Sequence, residues 1–260
     1  MKMRQSLFFL ACLACLCLVP ACGGSDDRRA RDADARPTVA DAKQAVWPSP
    51  GSTAIEAFDT HLTRKNFLAV LDMSGSMEEG KCSGDYATKA EAARAALIAW
   101  MQTVPRDANL GLVVFSRGRV RLAVPLGVDN RETFKKAVLA AAPSGGTPLK
   151  SAIASAHQEL ENRARYQNGY GDYRIVVITD GQHTAGEDPR PVVDAILNNP
   201  ANPVQLFTIG FCINDSALNQ PGRIIYQSAR NPEQLKQGLA WVLAESTDFN
   251  KAFIKEFQSD

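Results

Sequence analysis

Hydrophobic and polar positions alternate in blocks along residues 67–244, and each block has the length of one strand or one helix. Short, mostly apolar runs stand at 67–71, 110–115 and 173–179. Such runs are typical of parallel strands that are buried on both faces. The stretches between them repeat apolar residues at helical spacing. The pattern therefore predicts strands and helices in alternation, which favours a parallel sheet with helices on both faces.

The predicted elements follow each other in a regular order. We predict strands over 67–71, 110–115, 120–126, 173–179, 204–210 and 223–226, and helices over 86–101, 130–141, 147–165, 189–197 and 231–244. Arg117-Gly118 separates the second strand from the third, and we predict a hairpin turn there. Thr147 and Pro148 read as the N-cap and the first residue of a helix. Only about a dozen residues join the last two strands, which is close to the minimum for a parallel crossover, so we expect the connecting helix to be truncated or replaced by a loop.

The first residues have the form of an export signal. Lys2 and Arg4 precede an apolar run over 7–19, which is too short to span a bilayer comfortably, and small residues lead to Cys22. This arrangement resembles the bacterial lipobox, in which the cysteine is lipidated; the alternative is a plain signal peptide. We therefore expect an exported protein that is lipid-anchored at the cell envelope. Gly23 stands where an Asp would retain such a protein at the inner membrane, so the outer membrane is favoured if the organism has one.

Composition divides the rest of the chain into a linker and a folded domain. Residues 23–50 are rich in Asp and Arg and poor in large apolar residues, which is typical of an unfolded tether. We predict a signal peptide over 1–21, a lipidated cysteine with a flexible linker over 22–60, and one folded domain over 61–260. The formal net charge of +1 argues against a nucleic-acid partner, because such proteins usually carry a clear basic excess.

Cysteine usage agrees with export. After removal of the signal peptide and lipidation of Cys22, the chain retains only Cys82 and Cys212. An even pair in an oxidising compartment predicts a disulfide. Both cysteines follow strands that end at the same edge of a parallel sheet, so their loops can meet; the alternative is a pair of buried free thiols.

Three polar clusters follow strands or open a helix at that same edge, where ligands bind in open α/β sheets. They are 72–76 (DMSGS), 144–149 (SGGTPL) and 179–181 (TDG). Together they supply two carboxylates and three hydroxyls, from Asp72, Ser74, Ser76, Thr147 and Asp180. These hard oxygen donors suit Mg²⁺, Mn²⁺ or Ca²⁺ rather than Zn²⁺. Hydroxyls are weak donors, so a bound ion would still attract a further anionic ligand.

These residues resemble the metal-ion-dependent adhesion site of the von Willebrand factor type A family. The family motif D-x-S-x-S, with a distant Thr and a distant Asp, matches all five residues, and the likeness extends over about residues 62–246. The resemblance implies a doubly wound, Rossmann-like sheet that is mostly parallel, with one antiparallel edge strand. It also implies a binding module rather than an enzyme, in which the metal takes a Glu or Asp from a protein partner.

Other interpretations stay open at this point. Asp72, Thr147, Lys150 and Asp180 loosely resemble the haloacid-dehalogenase phosphotransferases, but Ser74 stands where that family needs an acidic residue. A structural subunit of an envelope assembly, with a metal site that serves no function, is a further alternative.

Aromatic and basic residues add two smaller expectations. Trp100 and Trp241 lie on apolar helix faces and are predicted to be core residues. Arg117, Arg119 and Arg121 alternate along the hairpin, where they either attract an acidic partner or protect an edge strand against self-pairing.

Overall fold

The structure is a computed structural model that describes residues 46–51, 55–213 and 217–244. Its strands are β1 (Lys65–Met73), β2 (Asn109–Ser116), β3 (Arg119–Gly127), β4 (Asp172–Thr179), β5 (Gln205–Phe211) and β6 (Ile225–Ala229). Its α-helices are α1 (Lys89–Thr103), α2 (Arg131–Ala140), α3 (Leu149–Tyr166), α4 (Arg190–Leu197) and α5 (Pro232–Ala244). A short 3₁₀ helix, Gly75–Glu78, follows β1.

The strands form one six-stranded sheet in the order β3-β2-β1-β4-β5-β6. All neighbouring strands run parallel except β2 and β3, which form an antiparallel hairpin at one edge. The predicted doubly wound, mostly parallel sheet with one antiparallel edge strand is thus confirmed. Helix α1 begins three residues later than expected, because the Thr88 side chain accepts a hydrogen bond from Glu91 N–H (3.2 Å) and caps the helix there.

The core lies on both sides of the sheet, as the mostly apolar strands predict. In β1, Phe67 and Leu71 pack on the side of α1, α2 and α5, whereas Leu68 and Val70 pack on the side of α3 and α4. All four side chains are fully buried. Burial of each contributes about 1.5–3 kcal/mol relative to exposure. This double burial holds β1 at the centre of the sheet and sets where its carboxyl end emerges.

The two tryptophans that were predicted to be core residues have different environments. Trp100 is buried and its ring makes an edge contact with Phe67, as predicted for a core residue. The prediction for Trp241 is wrong, because this side chain is 52% exposed. Helix α5 packs through Leu235, Leu239 and Val242, which recur at helical spacing. Trp241 precedes Val242 and is rotated away from that stripe by about 100°.

The connection from β5 to β6 is short, as expected. Its described residues, 212–213 and 217–224, contain no helix, and β6 still pairs in parallel with β5 at the edge of the sheet. Among the residues that the structure describes, no helix has the length and apolar character needed to cross a membrane.

Residues 46–51 fall within the stretch predicted as linker, yet they contact the domain. The Trp47 ring lies 5.3 Å from the Tyr173 ring and 5.6 Å from the His157 ring. The Ser49 hydroxyl donates to Glu161 at 2.6 Å, and the Ser49 carbonyl accepts from Arg165 at 3.0 Å. Contacts with the domain therefore begin before residue 60. The signal peptide and Cys22 lie outside the described residues and stay predictions.

Candidate metal centre

The two candidate carboxylates come from adjacent parallel strands. Asp72 is the next-to-last residue of β1, and Asp180 directly follows β4. Leu71 pairs with Ile178 in the ladder between these strands, so both strands end at the same level. Asp72 is completely buried, and its Oδ2 accepts a hydrogen bond from Thr179 Oγ1 at 2.6 Å. The sheet itself therefore brings the two acidic residues to one place.

The two serines bridge these strand ends. Ser74 N–H donates to Asp72 Oδ1 at 2.7 Å, which turns the chain back over the end of β1. The hydroxyl oxygens of Ser74 and Ser76 lie 3.2 Å apart. Ser76 Oγ then donates to Asp180 Oδ1 at 2.8 Å. A continuous chain of polar contacts thus joins the first predicted cluster to the third.

The loop before α3 brings Thr147 to the same edge. Ser144 N–H donates to the Met73 carbonyl, and Gly75 N–H donates to the Gly145 carbonyl, each at 2.9 Å. Gly145 has a φ of +79°, and a Cβ atom there would lie 2.6 Å from the Gly118 nitrogen of the β2–β3 hairpin. Only glycine suits both conditions. The loop therefore packs closely against the end of β1.

Gly181 marks where the hydroxyls converge. The position that a Cβ atom on Gly181 would take is 3.6 Å from Thr147 Oγ1 and 3.7 Å from Ser76 Oγ. Both hydroxyls therefore flank the residue that follows Asp180. The structure places all five sequence-predicted oxygen donors at one edge of the sheet, and it links four of them, Asp72, Ser74, Ser76 and Asp180, through hydrogen bonds.

A lysine that the sequence pattern did not single out completes the cluster. Lys89 is the first residue of α1 and is only 3% exposed. Its Nζ lies 2.6 Å from Asp180 Oδ2 and 2.9 Å from Glu79 Oε2. Helical periodicity offered no signal for this contact, because a lysine at the start of a helix is ordinarily a solvated residue.

The electrostatics of the cluster favour an added cation. Burial, together with the charge of Asp180, raises the pKa of Asp72 to about 6, against hydrogen bonds from Ser74 and Thr179 that lower it. Burial lowers the pKa of Lys89, but its contacts with Asp180 and Glu79 outweigh burial and raise it. The raised pKa of Asp72 means that its negative charge is poorly compensated in the protein alone.

The donor set fits a hard divalent ion. Within the described residues, no group of three or more His, Cys, Asp or Glu side chains is arranged to hold a metal. Any ion at this edge would therefore depend on serine and threonine hydroxyls beside the two carboxylates. Hard oxygen donors of this kind suit Mg²⁺, Mn²⁺ or Ca²⁺.

The start of α3 differs from the expectation. The predicted cap by Thr147 is wrong, because the helix begins at Leu149 with Pro148 at the N-cap. The Glu187 carboxylate caps it instead, accepting from both the N–H and the hydroxyl of Ser151 at 2.8 Å. Thr184 Oγ1 accepts from Thr147 N–H at 2.8 Å. The loop after β4 therefore holds the loop that carries Thr147.

Cys82 and Cys212 form a disulfide in the structure, as the even pair of cysteines predicts. Their Cα atoms are 5.8 Å apart, which is within the normal range for a disulfide. Cys82 lies in the loop between β1 and α1, and Cys212 directly follows β5. The bond therefore joins two loops at the same edge of the sheet as the polar cluster.

Comparisons with known proteins agree with this architecture. Residues 67–182 match the family model of the von Willebrand factor type A domain. That segment contains most of β1, all of β2, β3 and β4, and all five candidate donors. No protein with a curated description matches the chain.

Similar solved structures extend the likeness in fold to about 70% of the chain. A von Willebrand factor type A protein from Catenulispora acidiphila superposes with a TM-score of 0.55 at 20% identity, covering 71% of this chain and 43% of that one. Manganese-loaded TRAP from Plasmodium vivax gives a TM-score of 0.51 at 16% identity, with 68% and 72% covered. Mussel byssus proximal thread matrix protein 1, with a zinc-occupied MIDAS motif, gives 0.53 at 18% identity, with 72% and 48% covered.

The chain thus spans less than half of the Catenulispora and mussel structures, and at these identities the likeness concerns the fold. The matched residues, the strand order and the one antiparallel edge strand agree with each other. Residues 67–182 are therefore similar to the von Willebrand factor type A domain, and the fold of the sheet agrees with that likeness.

Proposed function

We propose that this protein is a cell-envelope binding module that holds a divalent cation and, through it, an acidic side chain of a protein partner. Asp72, Ser74, Ser76, Thr147 and Asp180 would hold the ion. The observation that carries the proposal is that these five oxygen donors meet at one edge of the sheet, where four of them are linked by hydrogen bonds and Asp72 is buried with its pKa raised to about 6. A divalent cation would stabilise the ionised form of that carboxylate.

Mg²⁺ and Mn²⁺ are the favoured ions, with Ca²⁺ as the alternative, because the donors are all oxygen atoms. Two proteins with the same fold carry divalent metals, manganese in the Plasmodium vivax protein and zinc in the mussel protein. The bound ion would supply an electron-poor point at the surface that accepts a carboxylate. Three hydroxyl donors leave the ion short of negative charge, so a Glu or Asp of the partner is the fitting ligand.

A binding role accounts for the environment of Asp72 better than catalysis does. A phosphotransferase of the haloacid-dehalogenase type would use Asp72 as its nucleophile, and the nucleophile must reach the substrate. The carboxylate is instead fully buried and held by Ser74 N–H and Thr179 Oγ1. Ser74 also offers no acid for proton transfer to a leaving group.

The location proposed is the cell envelope, where the exported protein would be anchored by a lipid on Cys22, with the outer membrane favoured if the organism has one. The disulfide between Cys82 and Cys212 supports an oxidising compartment. Fractionation of cells that express wild type and Cys22→Ser tests the anchor. We expect the variant to move from the membrane fraction to the soluble periplasmic or secreted fraction, and identical fractionation would contradict lipidation.

Calorimetry with Mn²⁺ tests the metal site. Asp72→Ala should abolish binding while circular dichroism shows an unchanged fold. Asp107→Ala, which removes an exposed carboxylate before β2, is the matched control and should bind Mn²⁺ like wild type. Equal Mn²⁺ affinity of wild type and Asp72→Ala would refute the assignment.

Affinity capture tests the partner. Wild-type protein should retain a protein partner in Mg²⁺ and release it in EDTA, and Asp72→Ala should retain none under either condition. Capture that is the same in Mg²⁺, in EDTA and with the variant would favour the alternative of a structural subunit whose metal site serves no function.

A further inference from the structure

The Lys89 ammonium is a buried cation inside the proposed metal centre. It contacts Asp180 Oδ2 at 2.6 Å and Glu79 Oε2 at 2.9 Å, and its side chain is 4% exposed. The remaining Asp180 oxygen accepts from Ser76 at 2.8 Å. Both oxygens of this candidate ligand are therefore already engaged within the protein.

Backbone contacts fix the start of α1, from which the Lys89 side chain extends. Lys89 N–H donates to the Glu79 carbonyl at 2.9 Å, which closes the loop between the 3₁₀ helix and α1. Within that loop, the Ser83 hydroxyl contacts the carbonyls of Gly80 and Tyr86, each at 2.7 Å. The disulfide at Cys82 ties the loop to the residue that follows β5. The position of Lys89 is thus fixed by the loop around it, and its side chain is buried beside Asp180.

The two carboxylates that share the ammonium differ in exposure. The Asp180 side chain is fully buried, whereas the Glu79 side chain is 61% exposed. Each Asp180 oxygen has a second lone pair, but a divalent ion that draws on Asp180 comes close to the ammonium, and repulsion between the two cations favours displacement of the ammonium. An ammonium that leaves Asp180 retains a partner at Glu79, so the displacement does not strand a buried charge.

We propose that Lys89 competes with the divalent ion for Asp180 and thereby sets a weak metal affinity that a partner's carboxylate must supplement. The inference rests on the metal site proposed above. In the metal-free protein, the ammonium neutralises Asp180 beside the buried Asp72. When the ion binds, the ammonium leaves Asp180 and keeps its contact with Glu79. Because the ammonium opposes the ion, the ion alone binds weakly. The partner's carboxylate binds through the ion, so metal binding and partner binding strengthen each other.

Mn²⁺ titration by electron paramagnetic resonance tests the competition. Lys89→Met keeps the length of the side chain and removes its charge, and it should bind Mn²⁺ on the order of tenfold more tightly than wild type. Glu79→Gln, an exposed and conservative change, should weaken binding about threefold because the displaced ammonium loses its second partner. Lys150→Met removes an exposed ammonium from the first turn of α3, at the same edge of the sheet, and should change the affinity less than Lys89→Met, above all at high salt.

Thermal melting without metal is the second readout. Lys89→Met should melt below wild type in EDTA, because Asp180 and Asp72 then face each other without the ammonium, and Mg²⁺ should raise its melting temperature more than that of wild type. Should Lys89→Met fail to fold, Glu79→Gln still tests the proposal.

The outcomes separate the two proposals. Wild-type affinity in both Lys89→Met and Glu79→Gln would overturn the competition, while loss of binding in Asp72→Ala would leave the metal site standing. An Mn²⁺ affinity that survives Asp72→Ala would overturn the site and the competition together.

Discussion

The two ends of strand β1 both bury polar side chains, but they do so in different ways. At the amino end, Asn66 lies beside Asn109 and Gln167. At the carboxyl end, Asp72 lies near Asp180 and the ammonium that contacts it. Between these ends, β1 is apolar and fully buried.

The amino-end cluster consists of neutral amides bonded to one another and to the backbone. Asn66 Nδ2 donates to Gln167 Oε1 at 2.9 Å, and Asn109 Nδ2 donates to Asn66 Oδ1 at 2.8 Å. Gln167 Nε2 donates to the Arg64 carbonyl at 2.9 Å. A neutral, hydrogen-bonded cluster of this kind stabilises the start of β1 and the end of α3 and has no charge for a ligand to neutralise.

The carboxyl-end cluster is charged, and its charges do not balance locally. Hydrogen bonds from Ser74 and Thr179 fail to offset the burial of Asp72 and the charge of Asp180, so the pKa of Asp72 stays raised at about 6. The comparison indicates that hydrogen bonding alone does not distinguish a binding site from structural polarity. An uncompensated buried charge is a further difference between the two ends, because it favours binding of a ligand or partner that supplies the counter-charge.

Removal of the disulfide should have the largest effect, because only the carboxyl end is covalently cross-linked. Cys82 and Cys212 are 130 residues apart in sequence, so the bond constrains a long loop of the unfolded chain. The double variant Cys82→Ser, Cys212→Ser should lose about 3–5 kcal/mol of unfolding free energy. Urea denaturation followed by circular dichroism measures this loss, and reduced wild type is the control. An unchanged midpoint would show that the bond contributes nothing to stability.

Asp72→Asn separates charge from shape at the carboxyl end. The amide keeps the volume of the side chain but cannot serve as an anionic ligand, so Mn²⁺ affinity should fall at least about a hundredfold. The metal-free protein should keep its stability to within about 1 kcal/mol, because removal of a poorly compensated buried charge offsets the altered hydrogen bonds. Calorimetry and chemical denaturation measure the two quantities, with Asp107→Asn as the control. A large loss of stability with retained Mn²⁺ binding would reverse the roles assigned to the two ends.

Asn66→Ala is the corresponding change at the amino end. It leaves buried amide groups of Asn109 and Gln167 without their partner and should cost about 2 kcal/mol. Mn²⁺ affinity should stay at the wild-type value, because no ligand lies at that end. Asn162→Ala, an exposed change on α3, should be nearly neutral for both properties. An altered Mn²⁺ affinity in Asn66→Ala would mean that the two ends are coupled through β1.

Glu187→Gln should have the smallest effect of the four. Its carboxylate caps α3 through Ser151, and a neutral amide makes a weaker cap, so the expected loss is about 1 kcal/mol. Because the same loop holds Thr147 through Thr184, Mn²⁺ affinity should fall about twofold to threefold. The exposed Glu132→Gln at the start of α2 serves as the control in thermal melts and Mn²⁺ titrations. Wild-type Mn²⁺ affinity in Glu187→Gln would show that the cap does not position Thr147.

The sequence alone predicted those features that depend on short stretches of chain. The apolar run of β1 and the Arg117-Gly118 turn specify a buried strand and an edge hairpin locally, and both are present. The five oxygen donors were predictable as candidates because they lie in three polar clusters that follow a predicted strand or open a predicted helix. Elements that end at one edge of a parallel sheet must bring such residues together, so their meeting at that edge followed from the alternation of strands and helices.

The tertiary structure alone decided which charges meet. Lys89 and Asp180 are far apart in sequence, and the cap by Glu187 joins the loop after β4 to the first turn of α3. The exposure of Trp241 depends on how α5 rotates against the sheet. Periodicity records which residues are apolar, but it does not record how a loop folds back or which partner a buried charge finds. Those contacts are set by packing across the whole domain, and here they decide the charge balance of the candidate metal centre.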